Sequence, residues 1–473
     1  MNIFKYFRQN GYDTVEPSFY AKIEEWERWY NADVPKFHSY RVYKGSGCSQ
    51  RCRRLSLKMA KRLSEDIADL LLNERVKITI ADEPTSAYVT QVLEDNNFLV
   101  LGNEYQERKA CTGTVAYVPY LRDAEIDGMG RTVSGRIGIN YVTARNIFPL
   151  SWDNGRIIEA AFLYPKIYQT TKYAQLEFHK LDENGEYVIE NHVLKVSKAE
   201  NGEELTPEEW QQIPIFAGLA AEVQTHSKER QFVIDRLNLV NNASYDETNP
   251  MGIAVFANSL DTLRKIDLEY DSYSNEFQLG KKRLFVAPEM LSDENGNPVF
   301  DPDDAVFYQL PEDTLRDAKS PIQESNMQLR IEEHSKAIND DLNMLSFKCG
   351  FGTERYRFDK GSVQTATQVI SENSDLYRMI KKHEIILGAA IKELIAIIAR
   401  IGNSLGESLK EDAEVTIDFD DSIIEDKETE RAQDRQDVAM GVMSLAEYRA
   451  KWYGETEEEA EQKLPEQKSE VIE

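Results

Sequence analysis

Residues 253–279 read IAVFANSLDTLRKIDLEYDSYSNEFQL, and residues 327–345 read MQLRIEEHSKAINDDLNML. In the first stretch Phe256, Leu260, Leu263, Ile266, Tyr270, Tyr273 and Phe277 recur at steps of three or four, the period of one helix face. Met327, Ile331, His334, Ile338, Leu342 and Leu345 repeat the pattern in the second. A helix from Gly252 to Leu279 would be roughly 40 Å long at about 1.5 Å per residue. One apolar stripe per helix, with charges opposite, suits packing side by side with copies from other subunits. The order helix, β insert, helix, loop, helix fits the wall of a ring better than an enzyme.

Between the two patterns lies a short insert. Leu284 to Ala287 and Ala305 to Tyr308 read as strands, joined through segments rich in Asp, Asn, Gly and Pro. About 40 residues cannot bury a core alone, so the insert calls for packing against other subunits. Pro321 opens the second helix, where its fixed φ and missing N–H do no harm. After that helix, Cys349 to Gly361 holds Thr353, Arg355, Arg357 and Lys360 among aromatics, in a segment that glycines bracket and leave mobile. Interleaved cations and aromatics suit transient contacts with nucleic acid; an ordinary helix–helix connection, long for its kind, is the other reading. No G-x-x-x-x-G-K-[ST] phosphate cradle occurs there or elsewhere.

The chain of 473 residues has the length of two to four domains and a formal charge of −27. Residues 403–473 carry 22 acidic and 8 basic side chains, which is about half of the excess. Conversely, Arg41, Lys44, Arg51, Arg53, Arg54, Lys58, Lys61 and Arg62 fall in one run without an Asp or Glu. That run reads either as a nucleic-acid contact or as a solvated face and partner for an acidic neighbour, the second being favoured. No signal peptide is expected at MNIFKYFRQNGY. Ile385 to Ile401 is too short and too charged to span a bilayer, so it is expected to be a core helix. Cys48, Cys52, Cys111 and Cys349 do not make a disulfide framework, and Cys48 and Cys52 lack the ligand cluster of a zinc site. His179, His192 and His334 read as packed or surface histidines. No metal, cofactor or catalytic site is expected.

Elsewhere the first 75 residues read as helices, including Ser18 to Tyr30 and Leu55 to Leu72. From Val76 to about Val196 the period shifts towards two. Val76 to Ile80, Thr114 to Val118, Ile157 to Tyr164, Tyr173 to Phe178 and Tyr187 to Val196 read as strands, interrupted by a helix from Thr85 to Glu94. A link from Asn238 to Pro250 leads into the first long helix. The fold class is therefore α+β.

The segment ATQVISENSDLY at 366–377 resembles the hallmark helix of portal proteins, the head-to-tail connectors of tailed phages, of the type found in siphophages of Gram-positive hosts. NIFPLSWDNG at 146–155, DFDDSIIEDKE at 418–428 and SLAEYR at 444–449 resemble the same family, in the same order. The resemblance implies a twelve-subunit ring at one capsid vertex of the virion, assembled in the host cytoplasm. Terminase drives double-stranded DNA through such a ring, which later mounts head-completion (adaptor) and tail proteins. Major capsid and scaffolding proteins are further partners, and no membrane is involved.

Carried onto this sequence, residues 1–250 form a mixed α/β wing, and 251–281 and 321–347 the two long stem helices. Residues 282–320 form a small β-containing clip, 348–362 the tunnel loop, 363–403 a long wing helix and 404–453 a helical crown. Residues 454–473 form an acidic tail, too charged to be ordered. Thr353, Arg355, Arg357 and Lys360 would face the DNA channel. Asp301, Asp303, Asp304, Glu312 and Asp313 would dock terminase and adaptor. Phe256, Leu260, Leu263, Tyr270, Ile331, Ile338 and Leu342 would pack the stem. The rival readings are a DNA-processing enzyme, such as a nuclease or terminase subunit, and another ring-forming head adaptor. Asp418, Asp420 and Asp421 could be proposed as Mg²⁺ ligands, but they read better as an acidic strand end.

Overall fold

The computed structural model describes residues 3–43, 49–126, 132–196, 202–280, 283–286, 307–309, 322–325, 328–353, 355–358, 366–419, 427–453, 456, 460–461 and 463. Helices α1 (Ile3–Gln9), α2 (Pro17–Tyr30) and α3 (Met59–Leu71) open the chain, with a hairpin of β1 (Ser39–Tyr43) and β2 (Ser49–Arg53) between the last two. The hairpin was not expected from the sequence, which reads as helical throughout this region. After β3 (Lys77–Ile80) come α4 (Glu83–Asp95) and α5 (Phe98–Thr112). Asp82 caps α4, its carboxylate accepting from the Thr85 N–H.

Two antiparallel sheets follow. The long hairpin of β4 (Thr114–Ile126) and β5 (Thr132–Thr143) takes β12 (Val233–Arg236) on its free edge, in the order β12-β4-β5. The second is a meander of β6 (Ile147–Asp153), β7 (Arg156–Tyr168), β8 (Thr171–Leu181) and β9 (Tyr187–Val196). Short strands β10 (Glu203–Leu205) and β11 (Glu222–Gln224) both pair with β9, and the small helix α6 (Pro207–Trp210) lies between them. The β6–β7 turn uses Asn154 and Gly155 at φ +47° and +76°, the left-handed pair that a two-residue hairpin needs.

Next come α7 (Leu260–Leu279), β13 (Arg283–Val286), β14 (Phe307–Gln309), β15 (Ile322–Ser325) and α8 (Ile331–Lys348). The 39-residue α9 (Ala366–Ser404), β16 (Val415–Asp418), α10 (Lys427–Ala439) and α11 (Leu445–Tyr453) complete the chain. Strand β16 returns to pair with β3. One continuous core joins α1–α3, α5, the β4–β7 strands, the near ends of α7 and α8, and α9. The apolar run of α9 fulfils its expected role, with Leu387, Ile391, Leu394, Ile395 and Ile398 buried.

Both long helices start later than their sequence periods suggest. Residues 251–256 are buried but not helical, so Phe256 packs in the core ahead of α7 and not on it. The cause is backbone competition. Val255 N–H donates to the Ala110 carbonyl at 2.9 Å, and Gly252 N–H to Thr114 Oγ1 at 2.8 Å. Gly252 and Gly113 approach so closely that a Cβ on Gly113 would lie 2.4 Å from the Gly252 oxygen, which fixes glycine at both. At the second helix, residues 322–325 pair antiparallel with β13, so α8 begins at Ile331 and not near Pro321. The insert thus contains a third strand, and its sheet runs β14-β13-β15 with β13 and β14 parallel.

Candidate functional site: the helix pair and the loop after it

α7 and α8 run antiparallel, laced by ion pairs whose order along the helices shows the direction. Asp261 meets Lys348 at 2.9 Å, Asp341 meets Lys265 at 2.7 Å, and Glu276 meets Arg330 at 2.8 Å. The last pair is bidentate, with Arg330 Nε also donating to Glu276 Oε1 at 3.0 Å, and it holds the Glu276 carboxyl down at about 2. Burial falls off along both helices. Leu263, Ile266, Ile338, Leu342 and Leu345 lie in the core, whereas Phe277 and Ile331 at the far end are exposed. The pair therefore projects from the body by its outer half. Of the expected stem residues, Leu263, Ile338 and Leu342 pack inside the subunit, Leu260 and Tyr270 are half-buried, and Ile331 faces outward.

Buried polar contacts fasten the root of α7 to the N-terminal body. His38 Nδ1 accepts from the Val34 N–H at 3.0 Å, so the proton of the neutral ring sits on Nε2, 2.9 Å from Asp267 Oδ2. The other Asp267 oxygen accepts from the Leu57 N–H, and Asp271 one turn on accepts from the Leu55 N–H, both at 3.0 Å. Sequence reasoning missed these anchors; the only signal was a pair of acids four apart on one helix face.

The loop after α8 leaves the helix through Gly350 and Gly352, at φ +84° and +79°. Between them Phe351 is buried, and the Tyr356 hydroxyl donates to Asp66 Oδ2 on α3 at 2.7 Å. Burial pushes the Tyr356 phenol above its ordinary range, so it acts as a donor. Phe358 N–H donates to Asn339 Oδ1 at 2.7 Å, and its ring meets Tyr270 and Tyr273 of α7 edge-on. The described part of this segment is thus pinned to α3, α7 and α8, and the expectation of a mobile loop does not hold there.

On that pinned frame Thr353 and Arg355 are exposed. Arg355 Nε lies 3.9 Å from Asp66, which also pairs with Arg62 at 2.8 Å. Arg357 is half-buried beside a shallow groove formed with Ser335, Lys336, Asn339 and Asn343 of α8. The structure thus sets Arg355 beside α3 and Arg357 beside α8. Lys360 and Gly361 lie outside the described residues, as do Asp301, Asp303, Asp304, Glu312, Asp313, Cys48, Asp420, Asp421 and most of 454–473.

Two further polar clusters sit deep in the body. Lys109 of α5 is fully buried and donates to Asp235 of β12 at 2.9 and 3.0 Å; Gln106 and Tyr117 complete the cluster. Burial lowers the Lys109 ammonium from its ordinary range. His383 on α9 accepts from the Asn238 N–H at 3.1 Å and is held neutral, its value pushed down to about 3 by burial and by Lys109. Of the expected histidines, His179 is buried against Glu177 at 2.8 Å, His192 pairs with Glu204 at 2.7 Å, and His334 lies beside Glu276 and Tyr273. Among the described residues no three His, Cys, Asp or Glu gather as a metal site would. No described helix is long and apolar enough to cross a membrane.

The sequence matches the model of the family described as phage portal protein, SPP1 Gp6-like, over residues 12–473. The chain belongs to that portal family. The match spans the helix pair, the strand insert, the loop, the C-terminal helices and the body except α1, which precedes it. No curated protein matches the sequence.

Proposed function

We propose that the chain builds a twelve-subunit ring at a capsid vertex, through which double-stranded DNA is packaged, retained and ejected. The observation that carries this reading is the portal-family match over residues 12–473, on a chain whose paired helices project from the body. In this reading α7 and α8 line the channel wall as a stem. The strand insert forms a clip that docks terminase and later head-completion and tail proteins, through Asp301, Asp303, Asp304, Glu312 and Asp313. Thr353, Arg355, Arg357 and Lys360 face the passing duplex, and α10 and α11 form the crown inside the head.

The electrostatics support a sliding contact. Duplex DNA presents about one negative charge per 1.7 Å of axis, and binding grows steeply with each phosphate neutralised. A chain of net charge −27 gives a wall that repels the duplex over most of its area. A few cations per subunit on an anchored loop can touch phosphates in turn without holding any of them.

Replacing Arg355, Arg357 and Lys360 together by Ala is expected to leave ring assembly intact and to lower the yield or retention of packaged genome. Packaged-DNA content of particles carrying the variant checks this, and a normal content removes the loop from the channel.

A further inference from the structure

The basic run of residues 41–62 divides in two. In its second half Arg54, Lys61 and Arg62 are neutralised within the subunit, while Lys58 is exposed. Arg54 stacks over Phe37 and Tyr40 and lies 3.7 Å from Asp271 of α7, Lys61 pairs with Glu65 and Glu107, and Arg62 pairs with Asp66. Its first half is not neutralised. In the β1–β2 hairpin Arg41 stands directly across from Arg51, and Ser39 across from Arg53. Residues opposite each other, and residues two apart, share a face, so Arg41, Arg51 and Arg53 lie together on one side of the ribbon. All three are exposed, and no described carboxylate lies within ion-pair distance of them. Arg51 donates to Ser39 Oγ and Arg53 to the Ala32 carbonyl, contacts that orient the guanidinium groups without neutralising them.

Like charges directly opposite across two strands destabilise a ribbon when nothing neutralises them. In a chain with 83 acidic and 56 basic side chains, an unopposed cationic face calls for a counter-charge from outside the subunit. We infer that the Arg41–Arg51–Arg53 face of the β1–β2 hairpin docks onto acidic side chains of a second copy of this chain. This rests on the ring reading above. Charge complementarity favours that occupant, since every copy presents an excess of carboxylates that guanidinium forks can grip in pairs. So does position. The root of the hairpin is tied to α7 through Arg54–Asp271 and the Leu55 N–H, and α7 leaves Leu268, next to the anchoring Asp267, exposed. A neighbour seated on that outer surface of α7 comes within reach of the hairpin.

The test compares full-length wild type with R41E/R51E/R53E and with R41K/R51K/R53K. Assembly is followed by mass photometry across protein concentration at low and high salt. Circular dichroism monitors folding, and fluorescence anisotropy measures binding of a short DNA duplex. The Glu variant is expected to fold normally but to need at least about tenfold more protein for half-assembly at low salt, with its own salt dependence weakened. The Lys variant keeps the charge and assembles close to wild type, and duplex affinity is unchanged among the three. Assembly of the Glu variant at wild-type concentrations overturns the inference while leaving the ring reading standing. A roughly tenfold loss of duplex affinity with assembly unchanged also overturns it and assigns the face to nucleic acid. A wild type that stays monomeric removes the ring reading, and this inference with it.

Discussion

Glu269 has the most unusual environment of any carboxylate in the helix pair. It contacts Asp341 across the α7–α8 interface, and burial together with that contact raises its carboxyl from 4.5 to about 7. Glu269 Oε2 and Asp341 Oδ2 are both buried without a donor, the arrangement of two carboxylates that share one proton. Lys265 on α7 opposes the shift, and Asp340 on α8 adds to it. Between about pH 4.5 and about pH 7 the folded chain holds a proton that the unfolded chain releases, so stability falls as pH rises through that window. Glu269→Gln supplies a fixed donor to Asp341 and does not titrate. It should melt with wild type near pH 5 and above it near pH 8, by of order 1 kcal/mol because water still reaches the pair. Thermal unfolding of both proteins across that range checks it, and parallel curves would deny the shared proton. None of this was legible in the sequence, because a buried acid pair becomes visible only once the register of the two helices is known.

Elements were legible where burial and hydropathy share a period. α2, α7, α8 and α9 carry apolar residues on the face they bury, and their existence follows from spacing alone. α5 buries Gly102, Gln106, Lys109 and Thr112 alongside Phe98 and Ala110, so its inward face is partly polar and shows no apolar stripe. The basic hairpin was hidden because Tyr40 and Val42 give β1 only a short alternation and β2, Ser49–Arg53, shows no apolar residue but Cys52. Helix starts failed where partners outside the helix took the N–H groups, as the Ala110 carbonyl and the Thr114 hydroxyl do ahead of α7. The cations of the candidate loop were legible as a cluster. Its anchoring through Tyr356 and Asp66 was not, because the partner lies on a distant helix. The division of the helix pair into a buried root and an exposed outer half yields a prediction. Leu342→Ala, in the root, should cost about 2–5 kcal/mol in denaturant unfolding, whereas Ile331→Ala on the exposed end should stay within about 0.5 kcal/mol in the isolated subunit. Equal losses at both sites would show that the outer end is buried within the subunit.

At the scale of the whole molecule, the body supplies a rigid mount and the helix pair a projection. Asp267 and Asp271 join the two through a buried contact to His38 and hydrogen bonds from the Leu55 and Leu57 N–H groups. The pair cannot tilt far without breaking those contacts. The strand insert carries its small sheet between α7 and α8 in sequence.

In the proposed assembly, copies of this chain close into a ring with a passage wide enough for duplex DNA. Native mass spectrometry of the purified protein, paired with class averages from negative-stain images, tests it most directly. A closed ring of twelve 54.4 kDa subunits around a central channel wide enough for a duplex is expected. A monomer, a dimer or an open filament at every protein and salt concentration would contradict it.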